Sequence, residues 1–248
     1  MKTTERSISL TCGIMSALAI TSAQSQVLFN HAGATDPTSE VWTQVQSGSG
    51  PSVGPVINDL GTGLNAWSVA SSTSTGLLAY TQTPTAAQIQ QGNLFGWSLS
   101  ATLRITRIPD LSLDASPSIA YITGPLRWNV FLGAQADGDP VVSIPAQGNF
   151  ALEGGGSGYH TYRLTYDPAS STADFFIDGV ERISNLSPVA LFSPPEVYFG
   201  IGTAAPGGAN FNSVTFAVVP EPSSWALLFL GGVSLGFVFR SRHHDHAA

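Results

Sequence analysis

Two acids stand two residues apart in a segment rich in glycine and proline, at Asp137 and Asp139. This spacing occurs in calcium-binding loops, because a hard cation takes several oxygen ligands from one short stretch of chain. The alternative is a turn whose carboxylates accept hydrogen bonds from backbone amides. The sequence therefore offers calcium as its one candidate cofactor and leaves both interpretations open.

Signals for an enzyme active site are weak. The segment 155–159 begins like the nucleophile elbow of a hydrolase, but Tyr159 occupies the position that requires glycine, so we interpret it as a flexible loop. Glycoside hydrolysis uses two carboxylates on one face, and no such pair of acids can be nominated. His160 is expected to be a hydrogen-bonding residue at a strand edge. We therefore predict that the protein is not an enzyme.

Carbohydrate binding is the chemistry that the remaining polar residues favour. Sugars are held by planar surfaces, amides and hydroxyls on a rigid face. If the strands that carry them are neighbours, the arginines would form one positive patch, which would suit an acidic polysaccharide. The alternative for each residue is an ordinary position on a polar sheet surface. The candidate residues are Arg104, Tyr121, Arg127, Asn129, Arg163 and Phe176.

The elements that must position these residues are predicted to be strands. Apolar side chains alternate with small or polar ones over residues 95–105, which indicates a strand with one buried and one solvated face. The segment 126–132 alternates in the same way and places Arg127, Asn129 and Phe131 on one side.

Two hairpin signals and one helix signal follow from local turn chemistry. Segments 162–166 and 173–177 are predicted to pair as antiparallel strands, and the Asp178-Gly179 dipeptide predicts a tight turn into the next strand. Residues 85–91 are predicted to form a short helix that begins at the N-cap Thr85 and stops at Gly92.

The number of short strands indicates the fold class. Eight to twelve strands in the 195 residues 24–218, separated by glycine- and proline-rich turns, predict an all-β protein. We expect a two-sheet antiparallel β-sandwich that forms a single domain over this range.

The sequence His160–Asp167, which reads HTYRLTYD, and the following segment 173–180 resemble a hairpin of the laminin-G/concanavalin A-like lectin and glucanase superfamily. The resemblance implies a jelly-roll sandwich that is lectin-like or a glucanase. The Glu-x-Asp-x-x-Glu segment of the glucanase branch is missing from this sequence, which favours a binding module. Further segments fit the opening and closing strands of the superfamily: 66–69, 96–99, 197–200 and 212–216.

Both ends of the sequence are predicted to be targeting segments. At the N-terminus, Lys2 and Arg6 precede an apolar stretch over residues 8–20 and small residues up to Ala23. This pattern is typical of a secretory signal peptide covering residues 1–23, with cleavage after Ser25 as the alternative. The single cysteine, Cys12, lies inside it, so the mature protein is expected to lack disulfides.

The C-terminal segment 219–248 has three ordered parts. A proline-containing motif at 219–224 precedes an apolar run at 223–239, which we predict to be a transmembrane helix. This order resembles the PEP-CTERM sorting signal, which implies an exosortase as processing partner and at least transient residence in the inner membrane. The motif and the basic end at 240–242 comprise Val219, Pro220, Glu221, Pro222, Arg240 and Arg242.

Charge excludes one class of partner. Between residues 26 and 220 the sequence has five arginines, no lysine and thirteen acids, which gives a net charge of −8. Nucleic-acid binding depends on clustered basic residues, so this partner is not expected.

Together these observations predict an exported protein of the cell surface or extracellular matrix that binds polysaccharide without catalysis. The alternatives are a structural or protein-contacting surface protein without glycan binding and, third, a divergent glycosidase.

Overall fold

A computed structural model of the protein describes residues 25–73, 75–107, 117–145, 147–202 and 206–219. Within these ranges, sixteen strands form two antiparallel sheets of eight strands each. The predicted all-β, two-sheet sandwich is therefore confirmed. The predicted signal peptide and transmembrane helix lie outside the described residues, and none of the helices inside them has the length and apolarity to cross a membrane.

The first sheet, sheet A, carries the long central strands. In spatial order it comprises β13 (Val180–Leu186), β12 (Thr172–Ile177), β11 (His160–Asp167), β6 (Trp97–Arg107), β16 (Gly207–Val218), β4 (Ala66–Ser71) and β3 (Pro51–Val56), with β1 (Gln26–Ala32) paired to β16.

The second sheet, sheet B, packs against it. In spatial order it comprises β10 (Gly148–Ala151), β9 (Pro140–Ile144), β8 (Leu126–Ala134), β7 (Pro117–Ile122), β15 (Glu196–Ile201), β5 (Leu77–Gln82) and β2 (Thr43–Ser47), with β14 (Val189–Ala190) paired to β8.

Strand β6 follows its predicted alternation. Trp97, Leu99 and Leu103 are buried between the sheets, whereas the residues between them face outwards and are partly exposed. The predicted hairpin is also confirmed, since β11 pairs with β12. Asp178 and Gly179 both have positive φ, at 52° and 79°, as a tight turn into β13 requires.

The predicted helix is present but longer than expected. Helix α2 (Ala86–Phe95) begins at Thr85, whose side chain and that of Gln88 form a reciprocal capping box. The prediction that Gly92 stops the helix is wrong, because Gly92 lies within it, where an added Cβ would be 3.3 Å from the Trp97 ring. The helix instead ends before Gly96, which has φ 106°. Because Phe95 belongs to the last turn of the helix, β6 begins at Trp97 and not at residue 95 as predicted.

Two further helical turns are short: α1 (Pro37–Glu40) and a 3₁₀ turn at Asp59–Gly61. The core between the sheets is rich in aromatic residues. Trp97 is at its centre, with ring centroids 4.9 Å from Tyr121 and 5.3 Å from Trp128. This packed interior makes the two outer faces rigid surfaces.

Candidate functional site

The outer face of sheet B carries a groove of about 330 Å³. Strands β2, β5, β7, β8 and β15 form its floor, and the segment 191–193 forms one wall. This segment is held in place because the amides of Leu191 and Ser193 donate to the carbonyls of Pro125 and Gly124 at 2.9 and 3.2 Å. We call this feature the sheet B groove.

Strand register brings polar side chains together in the groove. Ile122 of β7 pairs with both Arg127 of β8 and Glu196 of β15, so these three residues form one row across the sheet. Two rows further along, Ala120 lies between Asn129 and Tyr198. Side chains along a strand alternate between the two faces of the sheet. Every second row of paired residues therefore points outwards.

Two polar donors in or beside the groove lack hydrogen-bond partners among the described residues. The Tyr198 hydroxyl donates to Asn129 Oδ1 at 3.2 Å. The amide nitrogen of the same side chain, Asn129 Nδ2, is buried and has no hydrogen-bond partner among the described residues. Arg127 Nε is also buried and without such a partner. Asn129 is only 3 % exposed. A buried donor without a partner is costly, so a hydrogen bond to an acceptor oxygen that reached either group would be favourable.

Glu196 contributes an acid whose pKa is raised. Burial in the groove raises the pKa of this carboxyl above its usual value. Glu196 and Arg127 are the charged residues among the described lining, and they do not form an ion pair with each other. The groove thus combines one cation, one acid and neutral polar groups rather than a positive patch.

The six predicted glycan-binding residues separate into three places. Arg127 lines the sheet B groove, and Asn129, two residues further along β8, lies beside the lining and is hydrogen-bonded to the lining residue Tyr198. Arg104, Arg163 and Phe176 lie on the outer face of sheet A, on the opposite side of the sandwich. The expectation that the arginines share one patch is therefore wrong, because β8 belongs to one sheet and β6 and β11 to the other.

Tyr121 belongs to neither outer face. Its side chain is 0 % exposed and packs in the core, with its ring centroid 4.7 Å from that of Phe216. The prediction that it offers a stacking surface to sugars is wrong, because Tyr121 occupies an inward position of β7 between the outward residues Ala120 and Ile122.

Arg104 forms an ion pair with Asp59, which was not among the predicted site residues. Its Nε and Nη2 each donate at 2.8 Å to Asp59, which also accepts from Tyr159 Oη and Asn210 Nδ2. The hydrogen bonds from Arg104 are the main reason why the pKa of Asp59 is lowered to about 2. The guanidinium of Arg163 lies 4.5 Å from the centre of the Phe176 ring.

The acidic loop has the geometry of the turn interpretation. Both carboxylate oxygens of Asp139 accept backbone amides, from Gly154 at 2.5 Å and Gly156 at 2.7 Å, and Asp137 Oδ1 accepts from the Asp139 amide. The described part of the chain has no cluster of three or more acidic, histidine or cysteine side chains suited to a metal. Calcium binding at Asp137 and Asp139 stays a prediction.

His160 lies in a network of hydrogen bonds, in the role expected for it. Its Nδ1 is 2.7 Å from Asp178 Oδ2, and its Nε2 is 3.1 Å from the carbonyl oxygen of Gly156. Two residues of the groove, Glu196 and Tyr198, escaped the sequence analysis. They alternate with apolar Val197 and Phe199, and this pattern could have identified them as outward-facing.

Comparison with protein families identifies the tail. Residues 218–242 match the model of the PEP-CTERM protein-sorting motif. Val219 is the one residue of that predicted motif that the structure describes. Its amide donates to Gly96 O at 3.0 Å, and its carbonyl accepts from Gln91 Nε2 at 3.1 Å. The sorting motif therefore begins directly at the sandwich.

Comparison with curated proteins gives no match. Among solved structures, a conserved carbohydrate esterase from the Shiga toxin-encoding bacteriophage phi24B is similar, with a TM-score of 0.57 and 15 % identity over 79 % of this chain and 100 % of that one. At this identity the likeness shows a shared fold.

Two other solved structures are more distant. The binding domain of Paraclostridial Mosquitocidal Protein 1 has a TM-score of 0.47 and 10 % identity over 82 % of this chain and 51 % of its own. A glycosyl hydrolase family protein from Mycobacterium fortuitum has a TM-score of 0.42 and 15 % identity over 77 % of this chain and 99 % of its own.

Proposed function

We propose that this protein is a non-catalytic, exported protein of the cell surface or extracellular matrix that binds polysaccharide in the sheet B groove. The observation that carries the proposal is the convergence of Arg127, Glu196 and Tyr198 in the lining of one groove, with the Asn129 amide hydrogen-bonded to Tyr198 beside them. Two of them present buried donors that lack partners in the described chain. Extended sugar chains offer many hydroxyl oxygens to such donors.

The charge of the groove favours a neutral polysaccharide. Arg127 and Glu196 carry opposite charges, so the described lining has no net charge when both are ionised. Arg104 is paired with Asp59, and Arg163 lies on the other side of the sandwich, so neither adds positive charge to the groove. We therefore propose a largely uncharged sugar chain in place of the acidic polysaccharide expected from the sequence.

An exposed aromatic residue beside the groove supports contact with a sugar ring. Phe192 is 94 % exposed and lies between the wall residues Leu191 and Ser193. Single exposed apolar side chains are common on protein surfaces, and it is the position of Phe192 beside the groove that suits a binding role. Aromatic rings provide the planar surface on which sugar rings pack.

The lining of the groove supports binding rather than hydrolysis. Of the described residues that line it, Glu196 is the one carboxylate. Glycosidases use a pair of carboxylates in most families, one as acid and one as base or nucleophile. Calcium at the acidic loop is not required for this proposal.

The sorting motif supports the proposed location. We propose that the signal peptide exports the chain and that residues 223–239 then span the inner membrane, with Arg240 and Arg242 on the cytoplasmic side. An exosortase would process the tail near Pro220. We also propose that the sandwich is of the laminin-G/concanavalin A-like type.

A pull-down tests the proposal. The exported protein is incubated with insoluble neutral polysaccharides, such as cellulose, chitin and curdlan, and the fraction retained is measured. Retention of the protein supports polysaccharide binding. Absence of retention on these polymers, together with absence of binding on an array of soluble glycans, would favour the structural or protein-contacting alternative.

A further inference from the structure

A second cavity lies at one end of the sandwich, where β6, β8 and β11 meet the loops 136–140 and 156–158. Its volume is about 270 Å³, and it has no lining residue in common with the sheet B groove. We infer that this end cavity is a separate binding site for a single neutral sugar unit. The inference goes beyond the proposed function because it does not depend on the sheet B groove.

The Tyr162 hydroxyl is the first observation that points to a ligand. The side chain is 1 % exposed, its ring belongs to the core, and the residue lines the end cavity. The hydroxyl forms no hydrogen bond with the described residues, and it keeps some accessible surface. A phenol hydroxyl that can both donate and accept is therefore available at a half-open cavity.

The remaining lining has the composition of a sugar site. Thr106 and Ser157 add two hydroxyl-bearing residues to the lining, and Ile105 and Pro140 add apolar ones. The hydroxyls match those of a sugar, and the apolar wall matches the C–H face of a sugar ring.

Charge selects against acidic sugars. Asp137 lies in the lining, and its Oδ2 makes no hydrogen bond within the described residues, whereas Oδ1 accepts the Asp139 amide. A carboxylate can accept hydrogen bonds from two neighbouring sugar hydroxyls and repels a carboxylated sugar. The described lining includes no arginine or lysine that would offset this charge. The ligand is therefore neutral.

The walls of the end cavity are braced. Asp139 accepts the amides of Gly154 and Gly156, and the Gly156 carbonyl lies 3.1 Å from His160 Nε2. Gly138 and Ser157 approach so closely that a Cβ on Gly138 would be 2.6 Å from that of Ser157. Both loops are thus held against each other, and a preformed site loses less entropy when it binds a ligand.

Size limits the ligand to one unit. Pockets for drug-sized ligands have volumes of about 300–1,000 Å³, and the end cavity is slightly smaller. It therefore suits one sugar ring, either free or at the end of a chain.

The test uses the exported protein and a panel of D-glucose, D-galactose, D-mannose and N-acetyl-D-glucosamine, titrated to about 100 mM because single sugars bind weakly. Binding is measured by saturation-transfer difference NMR and by calorimetry. We expect at least one sugar to bind. Tyr162→Phe, which keeps the ring and removes the hydroxyl, is expected to weaken its binding about fivefold or more and leave the melting temperature unchanged.

Two results would overturn the inference. One is the absence of binding of every sugar in the panel to the unmodified protein, and the other is equal affinity in the Tyr162→Phe variant. Arg127→Ala separates the two sites: if it abolishes monosaccharide binding while Tyr162→Phe does not, the sugar occupies the sheet B groove. Conversely, Tyr162-dependent binding without retention on polysaccharides would support this inference and contradict the proposed function.

Discussion

Asp59 and Arg104 form a bidentate ion pair in which two nitrogens of the guanidinium each donate to the carboxylate at 2.8 Å. Asp59 is 6 % exposed, and it also accepts from Tyr159 and Asn210. The carboxylate therefore fixes the 3₁₀ turn at Asp59–Gly61 and the start of β11 onto the outer face of sheet A. This interaction gives Arg104 a structural role and removes it from the candidate glycan site.

Replacement of Asp59 is expected to destabilise the fold. In Asp59→Asn, Arg104 remains nearly buried without its counter-charge, so the free energy of unfolding is expected to fall by about 3 kcal/mol. Denaturation with urea measures this change. Glu153→Gln, at an exposed acid that has no hydrogen bond or ion pair through its side chain within the described residues, is the matched control and is expected to change stability by less than about 0.5 kcal/mol. Equal stability of the two variants would contradict the role given to Asp59.

Acid is expected to weaken the same interaction. The pKa of Asp59 is about 2 in the folded protein, below the ordinary value of 3.8, so the ionised form stabilises the fold. This contribution is complete above about pH 4 and is lost as the pH falls towards 2. It amounts to about 2 kcal/mol. The stability difference between the unmodified protein and Asp59→Asn should therefore narrow between pH 5 and about pH 2. A difference that stays constant over this range would contradict the assignment.

Loss of the Asn129 amide is expected to weaken glycan binding. Asn129→Ala removes the buried Nδ2 donor and the acceptor of the Tyr198 hydroxyl, so affinity for a retained polysaccharide should fall about five- to tenfold. Affinity electrophoresis through gels containing the polysaccharide measures the change. Asn149→Ala, on the exposed part of β10 in the same sheet, is the control and should migrate like the unmodified protein.

The exposed ring of Phe192 is expected to affect binding without affecting folding. Because the side chain is 94 % exposed, Phe192→Ala should leave the melting temperature unchanged and reduce polysaccharide affinity about threefold or more. Ile57→Ala removes another exposed apolar side chain, far from the groove lining, and serves as the control. If both variants bind equally well, Phe192 does not contact the sugar.

Local patterns predicted much of the fold. Alternation over residues 95–105 was sufficient to identify the two faces of β6, and the Asp178-Gly179 dipeptide identified the turn between β12 and β13. These features depend on neighbouring residues in the chain, so they can be derived from short windows. The extent of helix α2 could not, because Gly92 is retained in the helix by its packing against Trp97.

The candidate site depended on long-range pairing that periodicity does not encode. Arg127 and Arg163 were each correctly predicted to face outwards, yet they belong to different sheets. Arg104 and Asn210 share the partner Asp59, which is 45 residues from Arg104 and 151 residues from Asn210 in the sequence. Tyr121 was misplaced because β7 was not recognised as a strand, so the alternation along it was not applied.

The most direct test of the central claim uses the two arginines on opposite sides of the sandwich. Arg127 lines the sheet B groove, whereas Arg163 packs on Phe176 on the outer face of sheet A. The dissociation constants of Arg127→Ala and Arg163→Ala for a polysaccharide retained by the unmodified protein are compared at equal ionic strength. We predict that Arg127→Ala weakens binding about tenfold and that Arg163→Ala leaves it unchanged. Unchanged binding by Arg127→Ala, or a loss confined to Arg163→Ala, would contradict a glycan site in the sheet B groove.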